Sequence, residues 1–120
     1  MRFLNIFLLF WAFQQGFANL VAPEIQPIQS KKTKSGNTIR IICSTENASP
    51  LTEFSFYLNG VLLENKKNLK IESSQESYSS LILKPASIDH SGNYTCVAKN
   101  KAGTDSFHFQ ILVHGKFNLK

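Results

Sequence analysis

Cysteine is scarce in this chain of 120 residues: there are two, Cys43 and Cys96, beside three histidines, His90, His108 and His114. A zinc site would need both cysteines and two of the histidines to converge, and no pair among them has ligand-like spacing. No metal and no cofactor is therefore expected. The glycines form no phosphate-cradling loop, and no zinc-binding helix motif occurs. Acidic residues are few, eight against thirteen basic ones, and they lie scattered. Asp89-His90-Ser91 has the residue types of a hydrolytic triad. Three consecutive residues cannot set their side chains in a relay, however, so no catalytic residue is expected.

Long apolar runs are equally rare. One stands at the start, Phe3 to Phe13, broken only by Asn5 and preceded by Arg2. Gly16 and Ala18 follow, and that order reads as a secretory signal over residues 1–18, with cleavage after Ala22 as the weaker alternative. The run is too short to span a bilayer, which takes about 20 apolar residues. No later run reaches that length and no lipid-anchor signal follows, so the chain is expected to lack its own membrane anchor.

Removing the leader takes away Trp11, the only tryptophan, and five of the ten phenylalanines. What remains carries twelve of the thirteen basic residues and all eight acidic ones, a net charge of +4. The charge is spread along the chain, which suits a solvated surface and no nucleic-acid partner, with anionic glycans or membranes as the other reading. Export exposes Cys43 and Cys96 to an oxidising compartment, where one disulfide is the economical reading. Closing so long a loop stabilises by roughly 4 kcal/mol in the chain-entropy model.

Alternation of apolar and polar residues recurs along the rest of the chain, so the expected fold class is all-β. Val21–Ser30 holds Pro23 and Pro27 and reads as an edge strand that kinks and switches sheets. Lys31, Lys32 and Lys34 suit an edge strand that must not aggregate. Residues 38–44 turn Ile39, Ile41 and Cys43 inward. Residues 53–58 form a strand ending in Asn59-Gly60, a strong hairpin signal. Leu69 and Ile71 make a short strand, with a polar turn from Glu72 to Ser77. Tyr78–Leu83 turns Leu81 and Leu83 inward, and Phe107, Phe109, Ile111 and Val113 share one face of a last strand. Ile39, Ile41, Phe54, Phe56, Leu81, Leu83 and Ile111 then make one core between two sheets. No second domain, repeat or low-complexity tract is present.

His90 to Gly103 resembles strand F and the F–G turn of an immunoglobulin domain, of the intermediate set found in adhesion receptors and muscle proteins. Tyr94 lies two residues before Cys96, the tyrosine-corner spacing, and Cys43 lies fifty-three residues before Cys96. Pro23-Glu24-Ile25-Gln26-Pro27 is similar to the opening of domains in the Down-syndrome cell-adhesion-molecule family. The resemblance covers Pro23 to His114. It implies an immunoglobulin-like β-sandwich of two antiparallel sheets with one inter-sheet disulfide, a domain over residues 19–114 and a tail or linker over 115–120. It puts Phe56 where the family carries a core tryptophan, with Phe107 or Phe109 filling the extra space. The family's corner aspartate is replaced by His90, with Asp89 one position early. The usual ion pair then gives way either to Asp89 reaching round or to His90 as a hydrogen-bonding group, and a surface histidine is expected there.

The resemblance also implies an extracellular recognition module that binds a protein, a cell-surface receptor or a second copy of itself. Tyr57 and Lys99 are the expected interface residues, on a face shared with Thr95, Val97 and His108. Asn47 and Asn93 stand in glycosylation acceptor patterns. A second reading rests on Lys66, Lys67 and Lys70, which with Lys31 or Lys34 would make a basic patch for a heparin-like glycan. The chain reads either as a free secreted ligand, defence protein or decoy, or as the first domain of a larger receptor.

Overall fold

Eight strands carry the chain in the computed structural model, which describes residues 20–74 and 77–115. They are β1 (Lys31–Lys34), β2 (Ile39–Ser44), β3 (Glu53–Leu58), β4 (Val61–Leu62), β5 (Leu69–Ser73), β6 (Tyr78–Leu83), β7 (Gly92–Asn100) and β8 (Gly103–His114). The expected leader lies outside the described residues, as does the tail beyond Gly115. Alternation in sequence becomes alternation in burial. Ile39, Ile41 and Cys43 of β2 are buried while Arg40 and Ile42 are exposed. In β7, Tyr94, Cys96 and Ala98 are buried, and in β8 Phe109, Ile111 and Val113.

The strands form a five-stranded sheet in the order β1-β8-β7-β3-β4 and a three-stranded sheet in the order β2-β6-β5. Every neighbouring pair is antiparallel except β1–β8, which is parallel. The prolines explain the exception. Ile25 bridges to Thr45 beside β2, and the Gln26 N–H donates to the Ser44 carbonyl at 2.8 Å. Pro27 has no N–H to continue that ladder. The chain then crosses, Gln110 N–H donates to Ser30 Oγ at 2.9 Å, and β1 runs beside β8. The expected switch of sheets is thus present, although the segment before it makes one bridge rather than a continuous strand.

Between the sheets lies the expected core, with the Cys43–Cys96 disulfide tying β2 to β7 across a Cα–Cα distance of 6.5 Å. Phe56 is opposite Cys96 in register and fully buried. Phe109 is buried and stacks on Tyr94 with ring centroids 5.5 Å apart, and Phe107 packs against the core from its edge. Leu81 and Leu83 are fully buried from the opposite sheet.

Two expectations need correction. β5 does not stop at Ile71: Glu72 and Ser73 continue it, because they pair with Ser80 and Ser79 of β6. Nor do the lysines form one patch. β1 is the outer strand beyond β8, whereas β5 is the outer strand beyond β6, which packs over β3. Strands β1 and β5 therefore occupy opposite edges of the sandwich, and Lys31 and Lys34 are parted from Lys66, Lys67 and Lys70.

Candidate protein-binding face

The outer surface of β4, β3, β7 and β8 gathers the expected interface residues. Leu62, Tyr57, Thr95 and His108 stand in one cross-strand row. Thr95 Oγ1 and His108 Nδ1 are 2.8 Å apart and fix each other. Ser55, Val97 and Ser106 make the next row, then Glu53, Lys99 and Thr104. Lys99 is exposed and Tyr57 half-buried. Side chains alternate, so residues two apart share a face, and the first and third rows, those of Tyr57 and Lys99, are separated by about 13 Å of strand.

Sequence reasoning missed Leu62, which is 50% exposed opposite Tyr57, and its neighbour Val61 at 66%. The signal was available in the turn. Asn59 and Gly60 both have positive φ, 50° and 84°, as a two-residue hairpin turn requires. Such a turn pairs Leu58 with Val61 and hence Tyr57 with Leu62. Tyr57 is of a residue type enriched at protein contact surfaces, and the exposed Leu62 beside it adds apolar area to the same row.

The loop end above this face is braced. Val21 and Ser49 bond each other in both directions, Val21 N–H to Ser49 Oγ and Ser49 N–H to the Val21 carbonyl. Asn100 Nδ2 donates to the Val21 carbonyl at 2.8 Å, and Thr52 Oγ1 donates to the Ser49 carbonyl at 2.6 Å. Leu51 stands out from this brace at 74% exposure with φ of 66°. Asn47 is exposed in the same loop, while the Ser49 of its acceptor pattern is buried. Asn93 is exposed at the other end, where Gln110 Nε2 donates to its Oδ1 at 2.9 Å.

The corner before β7 differs from expectation. His90 is not a surface histidine: it is buried at 9% exposure in a 3-10 turn over Ile88–His90. Its Nδ1 accepts the Ser87 N–H at 2.9 Å. His90, rather than Asp89, has therefore taken over as the hydrogen-bonding group. Burial and the ammonium of Lys66 push its pKa below the ordinary histidine value, and Asp89 opposes them. The Tyr94 hydroxyl donates to the His90 carbonyl, closing the tyrosine corner, and burial pushes its pKa up to about 12.

Among the described residues no helix is long and apolar enough to cross a membrane, and no group of three acidic, cysteine or histidine residues gathers around one point. The family profile described as "Immunoglobulin domain" matches residues 22–100. Curated relatives include "Pro-neuregulin-1, membrane-bound isoform" of Gallus gallus, 26% identical over 98 residues, covering 79% of this chain and 16% of that protein. "Cell adhesion molecule DSCAML1" of Homo sapiens is 32% identical over 93 residues, covering 78% of this chain and 4% of that protein. The chain thus spans well under a quarter of either relative. Among solved structures, titin M4 superposes with a TM-score of 0.69 at 26% identity, covering 77% of this chain and 95% of that one.

Proposed function

The chain belongs to the immunoglobulin-domain family, and from that premise we propose that it is an extracellular module that binds a protein through the outer face of β3, β4, β7 and β8. It is a non-enzymatic module, as the adhesion and structural proteins it is similar to indicate. The observation that carries the binding site is the exposed Leu62 held opposite Tyr57, within the row that ends in His108. A cell adhesion molecule among its relatives supports protein recognition as the purpose of that face. The leader-like residues 1–18 support export, and exposed Asn93 supports glycosylation on that route. The partner is an extracellular protein, a cell-surface receptor or a second copy.

The test is a binding screen with the secreted chain on beads, against itself and against an array of extracellular receptor domains. A double variant, Tyr57→Ala with Leu62→Ser, should lose at least tenfold in affinity for the partner found while keeping its melting temperature within a few degrees. Undiminished binding by a folded double variant would remove the face from consideration. N-terminal sequencing of the secreted material checks the leader, with Asn19 the expected first residue.

A further inference from the structure

On the opposite sheet, the outer surface near β5 holds a shallow groove of about 530 Å³, lined by Asn65, Lys66, Leu69, Lys70, Ile82 and Lys84 among others. Its chemistry follows from register. Ile82 of β6 has Arg40 of β2 on one side and Lys70 of β5 on the other. Three strands at about 4.8 Å spacing put the Cα atoms of those two residues roughly 10 Å apart on either side of Ile82. Of the two, Lys70 lines the groove, and Lys66 and Lys84 add two more cations to it. Lys70 is paired with Glu72 at 3.2 Å. Lys66 and Lys84 have no ion pair among the described residues, and the charge of Lys66 is felt as far as the buried His90.

We propose that this groove binds a linear sulfated glycan, with Lys66 and Lys84 as its principal contacts and Arg40 extending the track across the sheet. Charge complementarity chooses the occupant. Four cations against one carboxylate define a polyanion site. Lys66, Lys70 and Lys84 line an open groove and Arg40 stands beyond it on the far side of β6, which suits a chain laid over the surface more than a compact ligand in a pocket. Lysine ammoniums are hydrated point charges on flexible stems, suited to sulfates presented at several angles, where a planar carboxylate pair would call for arginine forks. The aliphatic stems and Ile82 give the sugar rings an apolar floor. An anionic membrane is a poorer match, because Ile82 is only partly exposed while its cross-strand neighbours Arg40 and Lys70 are exposed. The site is on the sheet opposite Tyr57 and Leu62, so glycan and protein would bind without competing.

The test uses the secreted chain on immobilised heparin, with an immobilised polyglutamate column beside it. Wild-type protein should elute from heparin well above physiological salt, about 0.15 M, and should leave polyglutamate near it. Lys66→Gln with Lys84→Gln should weaken heparin binding at least tenfold at unchanged melting temperature. Lys31→Gln with Lys34→Gln, on the far edge, should leave it within twofold. Heparin elution near physiological salt would overturn the proposal, as would equal losses in the two double variants. Equal retention on polyglutamate would overturn the sulfated glycan as occupant. Protein binding through Tyr57 and Leu62 is read separately, so failure of either site leaves the other standing.

Discussion

Nδ1 of His90 accepts the Ser87 N–H, so the imidazole serves the corner only while that nitrogen is unprotonated. The folded chain holds the histidine pKa below its ordinary value of 6.5 through burial first and the Lys66 charge second, against Asp89. Below about pH 6.5 the unfolded state therefore takes up the proton first, and stability falls as pH falls towards the lower folded value. Urea denaturation from pH 7.5 to 5 should give a falling midpoint, and His90→Gln should flatten the trend in that window. An equal trend in the variant would assign the effect to other groups. Leu51 offers a second measurement. A left-handed conformation costs an ordinary residue about 1–2 kcal/mol, while glycine's extra freedom when unfolded costs about 0.5–1 kcal/mol. With its side chain 74% exposed, Leu51 has little packing to lose. Calorimetry should show Leu51→Gly melting no lower than the wild type, and Leu51→Val melting lower because branching at Cβ worsens a positive φ.

At the scale of elements, the β3–β4 hairpin decides whether the binding face exists. The turn is anchored as well as formed: Asn59 N–H donates to the Asn93 carbonyl at 2.7 Å, and Asn59 Oδ1 accepts the Asn93 N–H at 3.0 Å. Gly60 at φ 84° has open space around it, so the demand there is conformational rather than steric. Gly60→Val should cost about 1–3 kcal/mol in urea denaturation through backbone strain. Proton NMR should also show Tyr57–Leu62 contacts weakened while those between β7 and β8 persist. A variant with both intact would show that the edge strand is held by its packing and not by its turn.

For the molecule as a whole, the disulfide is a covalent tie between sheets that, among the described residues, share no backbone hydrogen-bond ladder. A domain of this size is stable by only about 5–15 kcal/mol. The Cys43–Cys96 bridge closes a separation of 53 residues, worth roughly 4 kcal/mol in the chain-entropy model. The double variant Cys43→Ala with Cys96→Ala should therefore lose a large part of the unfolding free energy in denaturant titrations. A loss under about 1 kcal/mol would mean that core packing fixes the two sheets without it.

Much was legible in the residues because period-two alternation is local. It placed β2, β3, β6 and β8, the Asn59-Gly60 turn placed the hairpin, and two cysteines in an exported chain left one economical pairing. What the sequence could not decide were relations between distant residues. His90 stands among polar neighbours and reads as exposed, and only the closed corner, with Tyr94 bonded to its carbonyl, buries it. The parallel pairing of β1 with β8 joins residues about eighty apart, which no local pattern encodes. Nothing local says whether Lys31 and Lys34 meet Lys66, Lys67 and Lys70 in one patch, and the sheet order divides them between two edges. Local pattern determined which side of each strand faces inward. Tertiary closure decided which outward residues become neighbours, because that depends on strand order and on the stacking of one sheet over the other.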